Sequence, residues 1–374
     1  MLTPTIKPGL EGVVAAETRL SHVDGQVGEL IIGGYPLETL APNVTFEAAV
    51  YLLWHDALPD SAALAEFRQA LAARRELPPA TLALLREAAA RNVAAMDALR
   101  MAAASLSLNT ATTGNPRQDA LTAVASFPTI VAAFWRLRQG REPIAPNPAL
   151  GHAANYLAML TGQPPNEAQV RGLETYLNTV IDHGLNASTF TARVIISTQS
   201  DMISAVVGAL GALKGPLHGG APGPALDMVF EIGQLEQAEA YLRDKLERGE
   251  RLMGFGHRIY KVRDPRAEVL AAAAEQFYHA DGNMALYRLA QGVERAAVRL
   301  LAEYKPGRNL QTNVEFYTAL LLHGLGLPGE LFTPTFAIGR VGGWTAHCFE
   351  QQQTGRLIRP AAAYIGERNR RLLN

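Results

Sequence analysis

The sequence predicts an all-α protein. Three features of its 374 residues carry that expectation. Apolar positions recur three and four apart over most of the chain, alternating apolar–polar runs are nearly absent, and glycine and proline pairs punctuate the helical stretches. With 48% hydrophobic and 18% charged residues, the chain has material for a buried core and does not read as disordered. Its length exceeds the about 100–200 residues of one ordinary domain, so two domains are expected.

Taken in chain order, the one place for a sheet is 20–35, where two short strands around Asp24-Gly25 form a hairpin. A helix over 44–58 follows, and then one in which Leu64, Phe67 and Leu71 share a face away from Glu66, Arg68 and Arg74. Helices are predicted over 81–106 and 119–138. Asn166 with Gln169 reads as a capping box at the start of 167–183. Further helices are expected at 196–213, 224–232, 235–248, 265–278, 285–304 and 312–324. Asp264-Pro265 opens one of them, because proline suits the first helical position. Pro78-Pro79, Pro164-Pro165, Gly215-Pro216, Pro306-Gly307 and Pro328-Gly329 fall between the segments. The loop 214–224, with four glycines and three prolines, is the best hinge on chain chemistry.

Charge and cysteine usage exclude several classes. Thirty-four basic against 35 acidic side chains leave a net charge of −1, without the footprint of a general nucleic-acid or acidic-membrane binder. The single cysteine, Cys348, cannot form an internal disulfide, which fits a reducing compartment. No secretory signal opens the chain, and the uncharged stretch 120–135, interrupted by Pro128, falls short of the ~18 residues of a membrane span. A cytoplasmic protein is expected.

The chemistry-bearing residues come next. Nine histidines raise the question of a metal, yet there is no HExxH and no cysteine partner. His347 and Glu350 could share a helix face, a pair that reads as a solvated or core contact; no metal site is expected. Three histidines lie among glycines or small polar residues: Asp182-His183-Gly184-Leu185-Asn186, Gly215-Pro216-Leu217-His218-Gly219-Gly220 and Gly254-Phe255-Gly256-His257-Arg258. In such turns the backbone can approach a ligand closely, although any one of them could simply satisfy a carbonyl. Gly254-x-Gly256 lacks the third glycine and preceding strand of a dinucleotide fingerprint, and neither a Walker motif nor a GxSxG elbow occurs. Arg266 would project near a helix N-terminus, where anions are favoured. Arg340 and Arg359 sit beside Gly339 and Pro360 and could equally be solvated. Glu315 is a lone acid in an apolar helical stretch, either capping a neighbour or acting as a base of raised proton affinity.

Together these segments resemble the citrate synthase family, in its short bacterial form. The resemblance rests on 183–190 (HGLNASTF), 213–221 (LKGPLHGGA), 254–261 (GFGHRIYK) with Asp264-Pro265-Arg266, 313–317 (NVEFY) and Arg359-Pro360, with Gly9-Leu10-Glu11-Gly12 at the start. It implies an almost wholly helical fold with a large dimerising domain, 1–219 plus 327–374, and a smaller mobile CoA-binding domain, 220–326. It implies an acyltransferase that condenses acetyl-CoA, a co-substrate, with oxaloacetate to give citrate, with no bound cofactor and no metal. By the resemblance, Glu315 is the base, His218 the donor to the thioester oxygen and His257 the donor to the ketone. His183, Arg266, Arg340 and Arg359 would bind the dicarboxylate, with Arg359 reaching in from the second subunit of a homodimer. Met253, Gly254, Phe255, Gly256 and Lys261 would line the CoA site. Two departures stand out: the base position, usually Asp, is Glu315, and Pro222, Gly223 and Pro224 follow where the family usually reads Asn-Glu, stiffening the expected hinge. Propionyl-CoA in place of acetyl-CoA would make the product 2-methylcitrate. A weakly active or ligand-binding paralogue is another alternative, motivated by Glu315 and Pro222, and a lyase running citryl-CoA cleavage is a third.

Overall fold

A computed structural model of the chain describes residues 6–110, 114–219, 222–368 and 370. The expected hairpin is present: β1 Ser21–Asp24 and β2 Glu29–Ile32 pair antiparallel, with Ser21 opposite Ile32 and Asp24 opposite Glu29, and β3 Tyr35–Pro36 adds to β2. Leu30 and Ile32 point into the core. Gly25 has no room for a side chain, since a Cβ there would stand 2.3 Å from the Ile259 carbonyl oxygen. The hairpin tip therefore lies directly on the segment that carries His257.

The rest is helical, as expected. In order come α1 Leu37–Leu40, α2 Phe46–His55, α3 Ser61–Ala72, α4 Pro79–Ala90, α5 Ala95–Ser105, α6 Ser107–Thr110, α7 Pro116–Arg138, α8 His152–Thr161 and α9 Glu167–Val180. Then follow α10 Ala187–Ile196, α11 Met202–Leu213, α12 Pro222–Ile232, α13 Leu235–Glu247, α14 Pro265–Asp281, α15 Met284–Tyr304, α16 Val314–Gly324 and α17 Phe332–Thr354. The capping box on α9 forms in both directions, Gln169 N to Asn166 Oδ1 and Asn166 N to Gln169 Oε1, each 2.9 Å.

Several boundaries differ from expectation. The predicted 81–106 helix is two, α4 and α5, because Asn92 turns into the left-handed region at φ +52°. The predicted 196–213 helix begins only at Met202, after Gln199 at φ +66°, and α10 ends where it was expected to begin. The loop expected over 214–224 ends early: Pro222 and Pro224 open α12, since the first turn of a helix has no partner for their missing N–H groups. Gly220 and Ala221 of that loop lie outside the described residues. Helices α8, α10 and α17 were not expected.

Helix α7 forms the centre, packed by α4, α5, α8 and α17. It spans 23 residues and is long and apolar enough to cross a bilayer, but its apolar residues are buried inside the protein, as in a core helix. Helix α17 crosses α9 at close range. A Cβ on Gly339 would meet the Leu177 carbonyl at 2.9 Å, and one on Gly343 the Ile181 carbonyl at 2.2 Å. Helices α12 to α16 pack mainly on each other, while α14 also lies against α9.

Candidate active site

The site is assembled by two loops that hydrogen-bond to each other. Gly256 N donates to Gln311 O (2.7 Å), Asn313 N to Gly254 O (2.9 Å) and Asn313 Nδ2 to Gly256 O (2.9 Å). Gly254 and Gly256 both take left-handed φ, near +86° and +84°, and a Cβ at 254 would press on Phe316 at 3.0 Å. This ladder brings His257 beside Glu315 although 58 positions separate them. Asp264 adds a second tie. It caps α14 through Arg266 N (3.0 Å), holds the Arg266 side chain through Nε (3.0 Å) and Nη2 (2.8 Å), and accepts from Val314 N (3.2 Å) at the start of α16.

From the other side, Gly184 at φ +60° ends the Asp182-His183 turn, and Asn186 caps α10 by accepting from Thr189 N (3.1 Å). Ser188 lies in the first turn of α10 and meets His218. Arg340 comes from the middle of α17, its Nε donating to Val180 O (2.6 Å) and its guanidinium lying over Phe336. These elements enclose a cavity of about 820 Å³ lined by His183, His218, His257, Arg266, Glu315 and Arg340 together.

Burial sets the charges. Desolvation, helped by Arg340, lowers His218 to about 4; desolvation, helped by Arg266, lowers His257 to about 4. His183 is held well below its ordinary value by burial, then by Arg266, Arg340 and His257. All three rings are therefore neutral near pH 7. Burial also raises the Glu315 carboxyl, against the pull of Arg266. Arg340, fully buried, falls to about 10 mainly by desolvation.

The tautomer of His218 follows from its neighbours. An amide N–H can only donate, so His218 Nε2 accepts from Ser188 N (3.3 Å) and the ring's one proton is on Nδ1. The Ser188 hydroxyl lies 2.8 Å from the same nitrogen and accepts from Trp344 Nε1 at 3.1 Å. His257 Nδ1 accepts from Ile259 N (3.1 Å) and Tyr260 N (3.2 Å). The Arg266 guanidinium can likewise only donate, and its Nη2 lies 3.2 Å from His257 Nε2, so donors face both nitrogens of this ring. Arg266 and His257 both line the cavity, where they suit an oxygen of an anionic or carbonyl ligand.

A family model described as "Citrate synthase, C-terminal domain" matches residues 9–361. A citrate synthase of Haloferax volcanii is 40% identical over 373 residues, covering 97% of each chain. The chain belongs to the citrate synthase family. A 2-methylcitrate synthase of Mycobacterium tuberculosis is also 40% identical, covering 98% of this chain and 92% of its own. The solved citrate synthase of Thermoplasma acidophilum, in ternary complex with carboxymethyl coenzyme A and oxaloacetate, superposes with a TM-score of 0.89 at 29% identity, covering 100% of this chain and 99% of its own.

Of the expected citrate synthase-type residues, Gly256 joins the six side chains in the cavity wall, whereas Met253, Gly254 and Phe255 stand behind it. Phe255 packs on Phe316, at 5.4 Å between ring centroids. Lys261 is exposed, its Nζ on Arg258 O, and Arg359 is exposed outside the cavity. Among the described residues no group of three or more His, Cys, Asp or Glu could hold a metal ion. His347 and Glu350 do share a face of α17, but in the interior: His347 Nε2 meets Asp182 (3.1 Å) and Glu350 pairs with Arg193 (2.6 Å). Burial alone would raise the Asp182 carboxyl; His347, Arg340 and Ser21 outweigh it and leave it lowered.

Sequence reasoning missed the residues that hold the others. Asp182, Ser188, Trp344 and the side-chain role of Asp264 carried no motif of their own. Adjacency was the one available signal, as Asp182 precedes His183 and Asp264 lies two before Arg266.

Proposed function

We propose that the protein condenses acetyl-CoA with oxaloacetate and hydrolyses the citryl-CoA thioester to citrate and CoA. The observation that carries this reading is the convergence of Glu315, His218 and His257 on one cavity with two buried arginines. Glu315 takes the α-proton of the thioester, its affinity for that proton raised by burial. His218, neutral with its proton on Nδ1, donates to the thioester oxygen as negative charge develops there. The resulting enol attacks the ketone carbon, and His257 donates to the oxygen that becomes alkoxide. His183, Arg266 and Arg340 hold the two carboxylates, with Arg359 of a second protomer completing the set in a homodimer. The exposed Leu357, Tyr364 and Ile365 flanking Arg359 support that tail as the part that reaches a partner. The 253–256 turn and Lys261 serve the CoA end. Residues 220–326 act as the smaller, mobile domain, since α12 to α16 pack mainly among themselves. The lone buried Cys348 fits an enzyme of a reducing compartment.

Glu in place of Asp moves the carboxylate by about 1 Å, and a misplacement of that size can cost ~10²-fold in rate unless the backbone compensates. The 2-methylcitrate synthase relative, equal in identity to the citrate synthase one, favours propionyl-CoA as a second substrate; one methylene discriminates by only ~1–3 kcal/mol.

Thiol release with oxaloacetate plus acetyl-CoA or propionyl-CoA tests the reading. Wild type should turn over, and Glu315→Gln should lose ~10²–10⁴-fold. Binding of both ligands without thiol release by wild type would refute it.

A further inference from the structure

We propose that Tyr260 is a positioning residue for the 2-oxo acid, its hydroxyl fixing the imidazole of His183 while its backbone fixes that of His257. This inference rests on the reaction proposed above. Tyr260 is buried, and its hydroxyl lies 3.0 Å from His183 Nε2. Its ring stands 5.7 Å from the His183 ring and 4.9 Å from the His257 ring, with the Arg266 guanidinium 5.8 Å from its centroid. Its own N–H donates to His257 Nδ1 at 3.2 Å. One residue thus touches three of the groups assigned to oxaloacetate without itself lining the cavity.

The argument is about protons. A neutral imidazole has one N–H, and a ligand oxygen is bound only if that N–H is presented to it. Burial, aided by the two buried arginines beside it, keeps the His183 ring from taking a second proton. The phenol stays protonated in this buried setting, so its hydroxyl and the ring share one hydrogen bond whose direction decides which nitrogen of His183 is the donor. Removing the hydroxyl frees both the tautomer and the plane of the ring.

The contact also crosses the chain's two halves. Lys261 N donates to Gly25 O (2.7 Å), and Asn309 Nδ2 donates to Lys261 O, clamping the Tyr260 loop between the hairpin and the residues before α16. With that clamp in place the hydroxyl reaches His183. Arg266 and Arg340 are anchored independently, by Asp264 and by Val180 O. The loss should therefore fall on oxaloacetate rather than on the acyl-CoA.

The test compares wild type, Tyr260→Phe, His183→Gln and the double variant. Oxaloacetate Kd is read by calorimetry, and KM and kcat by thiol release. Tyr260→Phe should raise oxaloacetate Kd and KM about 10-fold, the scale of one buried hydrogen bond, with kcat and acetyl-CoA KM within about 2-fold. In the His183→Gln background the same change should move oxaloacetate Kd less than about 2-fold. Site-specific 3-fluorotyrosine at 260, which keeps ring and hydroxyl, should restore near wild-type Kd; it also carries the test should the Phe variant not fold, a weaker Kd then overturning the proposal. Unchanged Kd in Tyr260→Phe, equal losses for both substrates, or additive effects with His183→Gln would overturn it as well. Wild type that binds oxaloacetate but releases no thiol would overturn the reaction, and the Kd comparison would still decide the role of Tyr260.

Discussion

Replacing Asp264 with Asn probes the joint on which the site turns. Asp264 is fully buried and Arg266 nearly so, and the carboxylate accepts from Arg266 N, Nε and Nη2 and from Val314 N. Asn keeps one oxygen, enough for the cap on α14, but turns an N–H₂ towards the guanidinium. Breaking a buried pair by removing one partner typically costs ~3–5 kcal/mol, because the other charge is left uncompensated. We expect Asp264→Asn to lose about 3 kcal/mol and Asp264→Ala about 1 kcal/mol more, the added loss being the helix cap. Urea titrations at constant m read both values. In the folded fraction, kcat/KM for oxaloacetate should fall in both variants, since Arg266 and the start of α16 move with the lost bonds. A loss below about 1 kcal/mol for Asp264→Asn would refute the view that this carboxylate holds Arg266 in place.

Three further perturbations follow from named contacts. Gly25→Ala sets a methyl 2.3 Å from the Ile259 carbonyl, which has no freedom to yield; we expect a loss of ~1–3 kcal/mol and a raised oxaloacetate KM, and an unchanged melting temperature and KM would sink this. Glu174 is pushed up to about 7 by burial and by the nearby Glu47, so its contribution is full below its unfolded value of 4.5 and is lost as pH rises through 7. Glu174→Gln should therefore stabilise the protein by on the order of 1–3 kcal/mol at pH 8 and by little at pH 4.5, measured as melting temperature; destabilisation at pH 8 would contradict it. His218 and His257, lowered to about 4 from 6.5, bind protons more readily when unfolded, so stability should fall as pH drops from 6.5 towards 4. His257→Asn should flatten that fall, and a drop of equal steepness in the variant would show that the buried ring is not its source.

Helical spacing made most of the fold legible, and the hairpin was legible from its turn residues. Helix α17 was not, for a physical reason. Gly339, Gly342 and Gly343 lower helix propensity and read as a break, yet each takes the place of a side chain that α9, α2 or the Ile181 backbone would exclude. Close packing between helices, a long-range fact, overrides local propensity there. The break between α4 and α5 was hidden for the opposite reason. Alanine-rich sequence on both sides continues the helical pattern across Asn92, whose tolerance of the left-handed region is the one local sign of the turn.

The site divides along the same line. Glycine-flanked histidines were visible because backbone that must approach a ligand leaves a mark in composition. What could not be read is that Asn313 and Gly256 share hydrogen bonds, so that a turn at 254–257 and a cap at 313 become one object. Glu315 had two readings, a cap or a base. The cap of α16 is Asn313, whose Oδ1 accepts from Glu315 N at 2.9 Å, and this leaves the carboxylate facing the cavity with Arg266. The asparagine two residues earlier thus supplies the helix with its cap and, by doing so, releases the acid for chemistry.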